Sequence, residues 1–173
     1  PNLGVVRTGA AKSFVMADIP GLIEGAAQGA GLGHQFLRHL QRTRLLLHIV
    51  DMQPAGFSAD SEKQAAELGK HLVASIRSLA AELKLYDSKL AKKPRWIVLN
   101  KSDLLSQEQQ DWIAAAVKKS LRSKAPIYVV SGVSRVGCED LMRDIQQWLD
   151  AQRIAEIGSV NPDVRFVESE HDQ

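Results

Sequence analysis

The sequence predicts an α/β fold with a mainly parallel, doubly wound sheet. Two observations carry this expectation. Aliphatic or β-branched runs of four to six residues occur at Leu3–Arg7, Phe14–Ala17, Leu45–Val50, Trp96–Leu99 and Ile127–Val130. Such runs, with little polar interruption, mark strands buried on both faces. Segments with helical spacing lie between most of them, and strands alternating with helices imply parallel crossovers. A third observation concerns the first pair. Only Thr8–Ser13, a short polar loop with Gly9, joins Leu3–Arg7 to Phe14–Ala17. These two therefore read as an antiparallel hairpin at one edge.

The helices follow from apolar spacing. A helix near 32–43 carries Phe36, Leu37 and Leu40. A long helix near 61–85 places Ala65, Leu68, Leu72, Ile76, Leu79 and Leu83 on one stripe. Ile113, Val117 and Leu121 mark a helix near 107–122, and Leu141, Ile145, Trp148 and Leu149 mark one near 138–153. Trp96, Trp112 and Trp148 fall at strand or stripe positions and read as core. No repeat or low-complexity segment is present.

Composition narrows the class. Hydrophobic residues are 45% and charged residues 24% of the 173, the balance of a globular domain. A collagen, a coiled coil and a disordered chain are excluded. No stretch approaches the ~20 apolar residues of a transmembrane helix. The single cysteine, Cys138, has no internal partner, which points to a reducing, cytoplasmic setting. It reads as a small buried residue at a helix start. The net charge of +2 is uneven: residues 1–154 hold 21 Lys/Arg against 15 Asp/Glu, and residues 155–173 hold one against five. A basic body with an acidic, disordered tail from residue 155 is expected. The body's cations cluster at Arg38/Arg42/Arg44, Lys92/Lys93/Arg95 and Lys118/Lys119/Arg122/Lys124. Such clusters suit nucleic acid phosphates, although each alone also fits a solvated surface.

Ligands of parallel sheets bind beyond the carboxyl ends of strands, and three strand ends carry polar motifs. Asp18-Ile19-Pro20-Gly21 follows Phe14–Ala17. A carboxylate there can hold Mg²⁺ through water, and the glycine brings a backbone N–H close to a phosphate. Asn100-Lys101-Ser102-Asp103 follows Trp96–Leu99. The Asp103 carboxylate can accept from the paired N1–H and N2–H₂ donors of guanine, which adenine lacks. Asn100 can bond the other side of the base and brace the loop, and the stem of Lys101 can cover the ring. The plain alternative is a turn in which Asp103 caps the next helix. Ser131-Gly132-Val133 follows Ile127–Val130 and can offer backbone N–H groups to the guanine O6. Asn100 and Ser131 are 31 residues apart, room for one helix and one strand.

In this order and spacing, the motifs resemble the third, fourth and fifth motifs of a translation-factor-class P-loop GTPase. More narrowly, Pro1–Val6, Asp18–Ala26, Gly29–Gly33 and Phe36–Thr43 resemble the Obg/CgtA family. The likeness covers about 1–153, and the acidic tail resembles the variable C-terminal extension of proteobacterial members. It implies a partial P-loop NTPase G domain over 1–154, with residues 155–173 as its tail. Asp18 would hold Mg²⁺ through water and the Gly21 N–H would sense the γ-phosphate. Asn100 and Asp103 would read guanine, Lys101 would lie over it, and Ser131–Val133 would close over O6. Switch II would run over about 21–34, which contains five of the 12 glycines. That density suits an order–disorder switch.

Leu22 stands where a Ras-like GTPase carries its water-orienting Gln. Intrinsic hydrolysis should therefore be slow and helped by a monovalent cation, a partner or another residue. Glu24 and His34 are the nearby polar candidates, and neither is assigned a catalytic role. The five histidines (His34, His39, His48, His71 and His171) show no metal-ligand spacing, and no G-x-S-x-G motif occurs. The phosphate-binding G-x-x-x-x-G-K-[ST] loop is not among these residues. It, its flanking strand and a switch I threonine are expected upstream of Pro1, so the chain reads as a piece of a longer protein. By itself it should bind GTP poorly, and micromolar GTP binding by this polypeptide would overturn that.

The resemblance implies a cytoplasmic, monomeric, Mg²⁺-dependent GTPase that hydrolyses GTP to GDP and phosphate. Its partner would be the large ribosomal subunit, RNA and proteins, during assembly, with links to growth and stress control and no DNA specificity. Two alternatives stay open: a related ATP-preferring hydrolase, and a non-enzymatic ribosome- or protein-interaction module.

Overall fold

The structure is a computed structural model that describes residues 2–18 and 41–160. The strands are β1 (Asn2–Gly9), β2 (Lys12–Asp18), β3 (Leu46–Asp51), β4 (Arg95–Asn100) and β5 (Ile127–Val129). The helices are α1 (Glu62–Tyr86), α2 (Ser88–Ala91), α3 (Gln107–Leu121) and α4 (Cys138–Val160). All five expected strands form, and three of the four expected helices do. The fourth, near 32–43, lies outside the described residues except for its end, and switch II at 21–34 lies wholly outside them.

β3, β4 and β5 form a parallel sheet in that spatial order. β4 is central, and its run explains why. Trp96, Ile97, Val98 and Leu99 are all buried, with exposures of 6% or less. Ile97 and Leu99 join Val50, Met52, Leu68, Leu72, Ile76, Ile113 and Val117 in a core beneath α1 and α3. Trp96 and Val98 face the other way, into a core with Val130, Leu141 and Ile145. Helices therefore cover both faces, which is what a strand apolar at every position needs. The tryptophans sit as expected: Trp96 is buried, and Trp112 and Trp148 pack against the two cores.

Caps set the helix starts. Ser61 accepts from the Gln64 N–H at 3.3 Å and opens α1. Ser106 and Gln109 form a reciprocal capping box that opens α3. Between α1 and α3 the helices approach closely at Gly69, where an added Cβ would lie 2.5 Å from the Ala116 Cβ.

β1 and β2 pair antiparallel from Asn2↔Asp18 onward. The hairpin is a ladder of its own, and among the described residues no strand joins it to β3. Side chains dock it on α4 instead. Phe14 packs into the core around Trp96, Thr8 Oγ1 donates to Gln146 Oε1 at 3.0 Å, and Lys12 Nζ pairs with Asp150 at 3.0 Å. The last helix is longer than its apolar stripe predicts. The charge pattern places the start of the tail at residue 155, but α4 continues to Val160. Its added turns gain an ion pair between Arg44 and Glu156, at 3.1 Å. Residues 161–173 lie outside the described residues.

Candidate functional site

Parallel register aligns three strand ends. Asp51 of β3 pairs with Asn100 of β4, and Leu99 pairs with Val129 of β5. The ladder runs on past β5: Val130 N–H donates to Leu99 O at 2.8 Å, and Ser102 N–H to Val130 O at 3.1 Å. The polar residues just beyond are thereby neighbours. Asp51, Asn100-Lys101-Ser102-Asp103 and Ser131-Gly132-Val133 form one cluster at the carboxyl end of the sheet.

Two hydrogen bonds lace the β4 and β5 loops together. Asn100 Oδ1 accepts from the Gly132 N–H at 3.0 Å, the bracing role expected for Asn100. The Ser131 hydroxyl donates to Asp103 Oδ1 at 2.6 Å and accepts from the Ser134 N–H at 3.0 Å. Ser131 is fully buried and Asp103 exposed. The hydroxyl thus holds the inner oxygen of the carboxylate, and the carboxylate faces solvent. Asp103 sits in a single 3₁₀ turn, Ser102–Leu104. It does not cap the following helix, because Ser106 does. Ser102 is buried at 2%, and its carbonyl accepts from Gln110 Nε2 at 2.9 Å, which ties the turn to α3.

The Ser131–Val133 amides are not equivalent. The Ser131 N–H donates to Val136 O at 2.9 Å, and the Gly132 N–H is held by Asn100. Val133 is 88% exposed. Gly137 closes this loop at φ +73, where an added Cβ would sit 2.4 Å from Val129 O. That position requires glycine. Cys138 is half-buried, not fully buried, and its thiol lies 3.5 Å from the Ser131 carbonyl at the start of α4.

Lys101 adopts a left-handed backbone, φ 70, and its ammonium pairs with Asp51 Oδ2 at 2.6 Å. Sequence reasoning missed Asp51. The available signal was its place directly after Leu45–Val50, equivalent to that of Asn100 after Trp96–Leu99.

Asp18 ends β2, exposed, in the separate hairpin. Among the described residues it makes no hydrogen bond or ion pair with the cluster. Ile19, Pro20 and Gly21 lie outside the described residues, as do Leu22, Glu24 and His34. Magnesium at nucleotide sites takes one or two carboxylates, with phosphate oxygens and water completing the shell. A single exposed carboxylate at a strand end fits that donor set. No group of three metal-ligating side chains occurs among the described residues, so a closed all-protein site is not formed there.

The cluster thus presents an exposed Asp103 carboxylate held by Ser131, with Lys101 beside it and paired to Asp51. The family model of 50S ribosome-binding GTPases matches residues 1–101. The match spans the hairpin, β3, α1 and β4 and ends inside the cluster, at Lys101. A parallel sheet with covered faces, a flanking hairpin and polar strand ends agree with it, and the chain belongs to the family of 50S ribosome-binding GTPases.

Proposed function

We propose that residues 1–154 are the guanine-reading part of an Obg-type GTPase domain, with the rest as a tail. One observation carries the reading: the Ser131–Asp103 and Asn100–Gly132 hydrogen bonds tie the loops after β4 and β5 to one another. Asp103 accepts from N1–H and N2–H₂ of guanine. Asn100 braces the β5 loop, Lys101 covers the ring, and the loop Ser131–Val133 meets O6. Asp18 holds Mg²⁺ through water, and the Gly21 N–H contacts the terminal phosphate. Bound Mg²⁺ supplies charge neutralisation for the phosphates of GTP. Leu22 cannot orient water, so hydrolysis to GDP and phosphate is slow until a partner assists.

The partner in this reading is the large ribosomal subunit during its assembly, in the cytoplasm, with the nucleotide as switch and growth or stress as the context. The basic clusters support it. Arg42 and Arg44 precede β3, Lys92, Lys93 and Arg95 precede or open β4, and Arg122 and Lys124 precede β5. Parallel strands bring all three to the amino end of the sheet. A cleft of about 320 Å³ there is lined by Lys93 and Arg95, with Trp96, Ser123 and Pro126. Burial pushes the Arg95 guanidinium below its ordinary pKa, and an RNA phosphate would restore a partner for its charge.

The test is calorimetric titration of the natural full-length protein with GDP and with ADP, before and after Asp103→Asn. An amide offers one acceptor and one donor, so it mismatches guanine and suits xanthine, which carries a carbonyl at C2. GDP affinity should fall by at least about 100-fold, the scale of removing a charged recognition pair, and XDP should gain. Equal affinity for GDP and ADP, or no response to Asp103→Asn, would sink the reading.

A further inference from the structure

Lys101 and Asp51 are 50 residues apart in sequence and meet across adjacent strand ends. Asp51 is held before the lysine reaches it, because its Oδ1 accepts from the Gln53 N–H at 2.8 Å. Its Oδ2 then takes the Lys101 ammonium at 2.6 Å. Asp51 pairs in register with Asn100 on the side of β4 away from β5. Asp103 and Ser131 join on the β5 side. Lys101 is therefore directed at both ends: its backbone by the left-handed turn, φ 70, and its ammonium by a carboxylate on the opposite side of the cluster. A lysine stem without such an anchor samples many rotamers.

We infer that Asp51 is a positioning residue for guanine nucleotide. By holding the ammonium at the end of β3, it draws the four-carbon stem of Lys101 across the strand ends as a fixed apolar wall for the purine ring. The inference rests on the base-site reading proposed above.

A double-mutant cycle in the natural full-length protein tests it, read as GDP affinity and dissociation rate. Asp51→Asn keeps the shape and removes the charge, and Lys101→Met keeps the stem and removes the ammonium. Asp51→Asn should weaken GDP about three- to fivefold, the scale of one partly exposed ion pair. The loss should lie mainly in faster dissociation, with the unfolding midpoint unchanged. In the Lys101→Met background the same substitution should cost nothing, because the anchor has nothing left to hold. Asp51→Glu should keep most of the affinity. An equal cost in both backgrounds, no cost in either, or equal losses for Glu and Asn with a lowered midpoint would overturn the inference. The GDP-over-ADP preference and the Asp103→Asn response are measured in the same series. Their absence would bring down the base-site reading itself. Their presence without coupling would remove the Asp51 role alone.

Discussion

At the scale of single residues, the cluster depends on one buried hydroxyl. Ser131 donates to Asp103 and accepts from Ser134 while fully buried. Ser131→Ala would leave the Ser134 amide without its acceptor and the Asp103 carboxylate without its inner donor. An unmade buried bond costs about 1–3 kcal/mol. Denaturant unfolding should show a loss of that order, with m unchanged. GDP binding by the full-length protein should weaken as well, because Asp103 is no longer aimed. A variant with wild-type stability and affinity would show that Asp103 holds its place without the serine.

At the scale of elements, packing and propensity oppose one another at Gly69. In a helix interior Gly→Ala gains about 1 kcal/mol by propensity. Here the new methyl would stand 2.5 Å from the Ala116 Cβ and 3.2 Å from the Ala116 backbone carbon. α1 and α3 would have to separate over a core that includes Leu68, Ile113 and Val117. Overpacking of that kind costs about 1–3 kcal/mol, so Gly69→Ala should be net destabilising and lower the thermal midpoint. The β5–α4 contact carries a pH signature. The Tyr128 hydroxyl donates to Asp144 Oδ2 at 2.9 Å. Burial first, and the Asp144 carboxylate second, push its pKa from 10.0 up to about 12. A raised folded pKa means the folded state keeps a proton that the unfolded state gives up. This stabilisation is complete below pH 10.0 and lost as pH climbs through about 12. In Tyr128→Phe that loss of stability across the window should disappear from the pH-dependent unfolding profile.

At the scale of the whole molecule, the sheet has two chemically different ends. Asp51, Asn100, Asp103 and Ser131 occupy the carboxyl end, and Arg42, Arg44, Lys92, Lys93, Arg95, Arg122 and Lys124 gather toward the amino end. In the proposed reading, nucleotide and polyanion would meet opposite ends of the sheet. Charge reversal at Lys92, Arg95 and Lys124 together should weaken binding of the full-length protein to large ribosomal subunits while leaving GDP affinity unchanged. The slope of log affinity against log salt should flatten by roughly 0.7–0.9 for each phosphate that is no longer neutralised. An unaltered slope would show that these cations are solvated surface.

The sequence alone determined the five strands, the helix stripes and the positions of the strand-end motifs. These are local properties: Trp96–Leu99 is apolar at every step because both faces are covered, and Ile113, Val117 and Leu121 recur at helical spacing because one face of their helix is buried. Asn100, Lys101, Asp103 and Ser131 were legible as a group because each lies at or just beyond the end of such a run. What lies between neighbouring strands was not. The Asp51–Lys101 pair, the Ser131 hydroxyl on Asp103, the ladder that separates the hairpin from β3 and the gathering of three basic loops were decided by tertiary structure. The physical reason is register. Linear spacing places a residue at the end of a strand, and only the order in which the crossovers set strands side by side decides which ends touch.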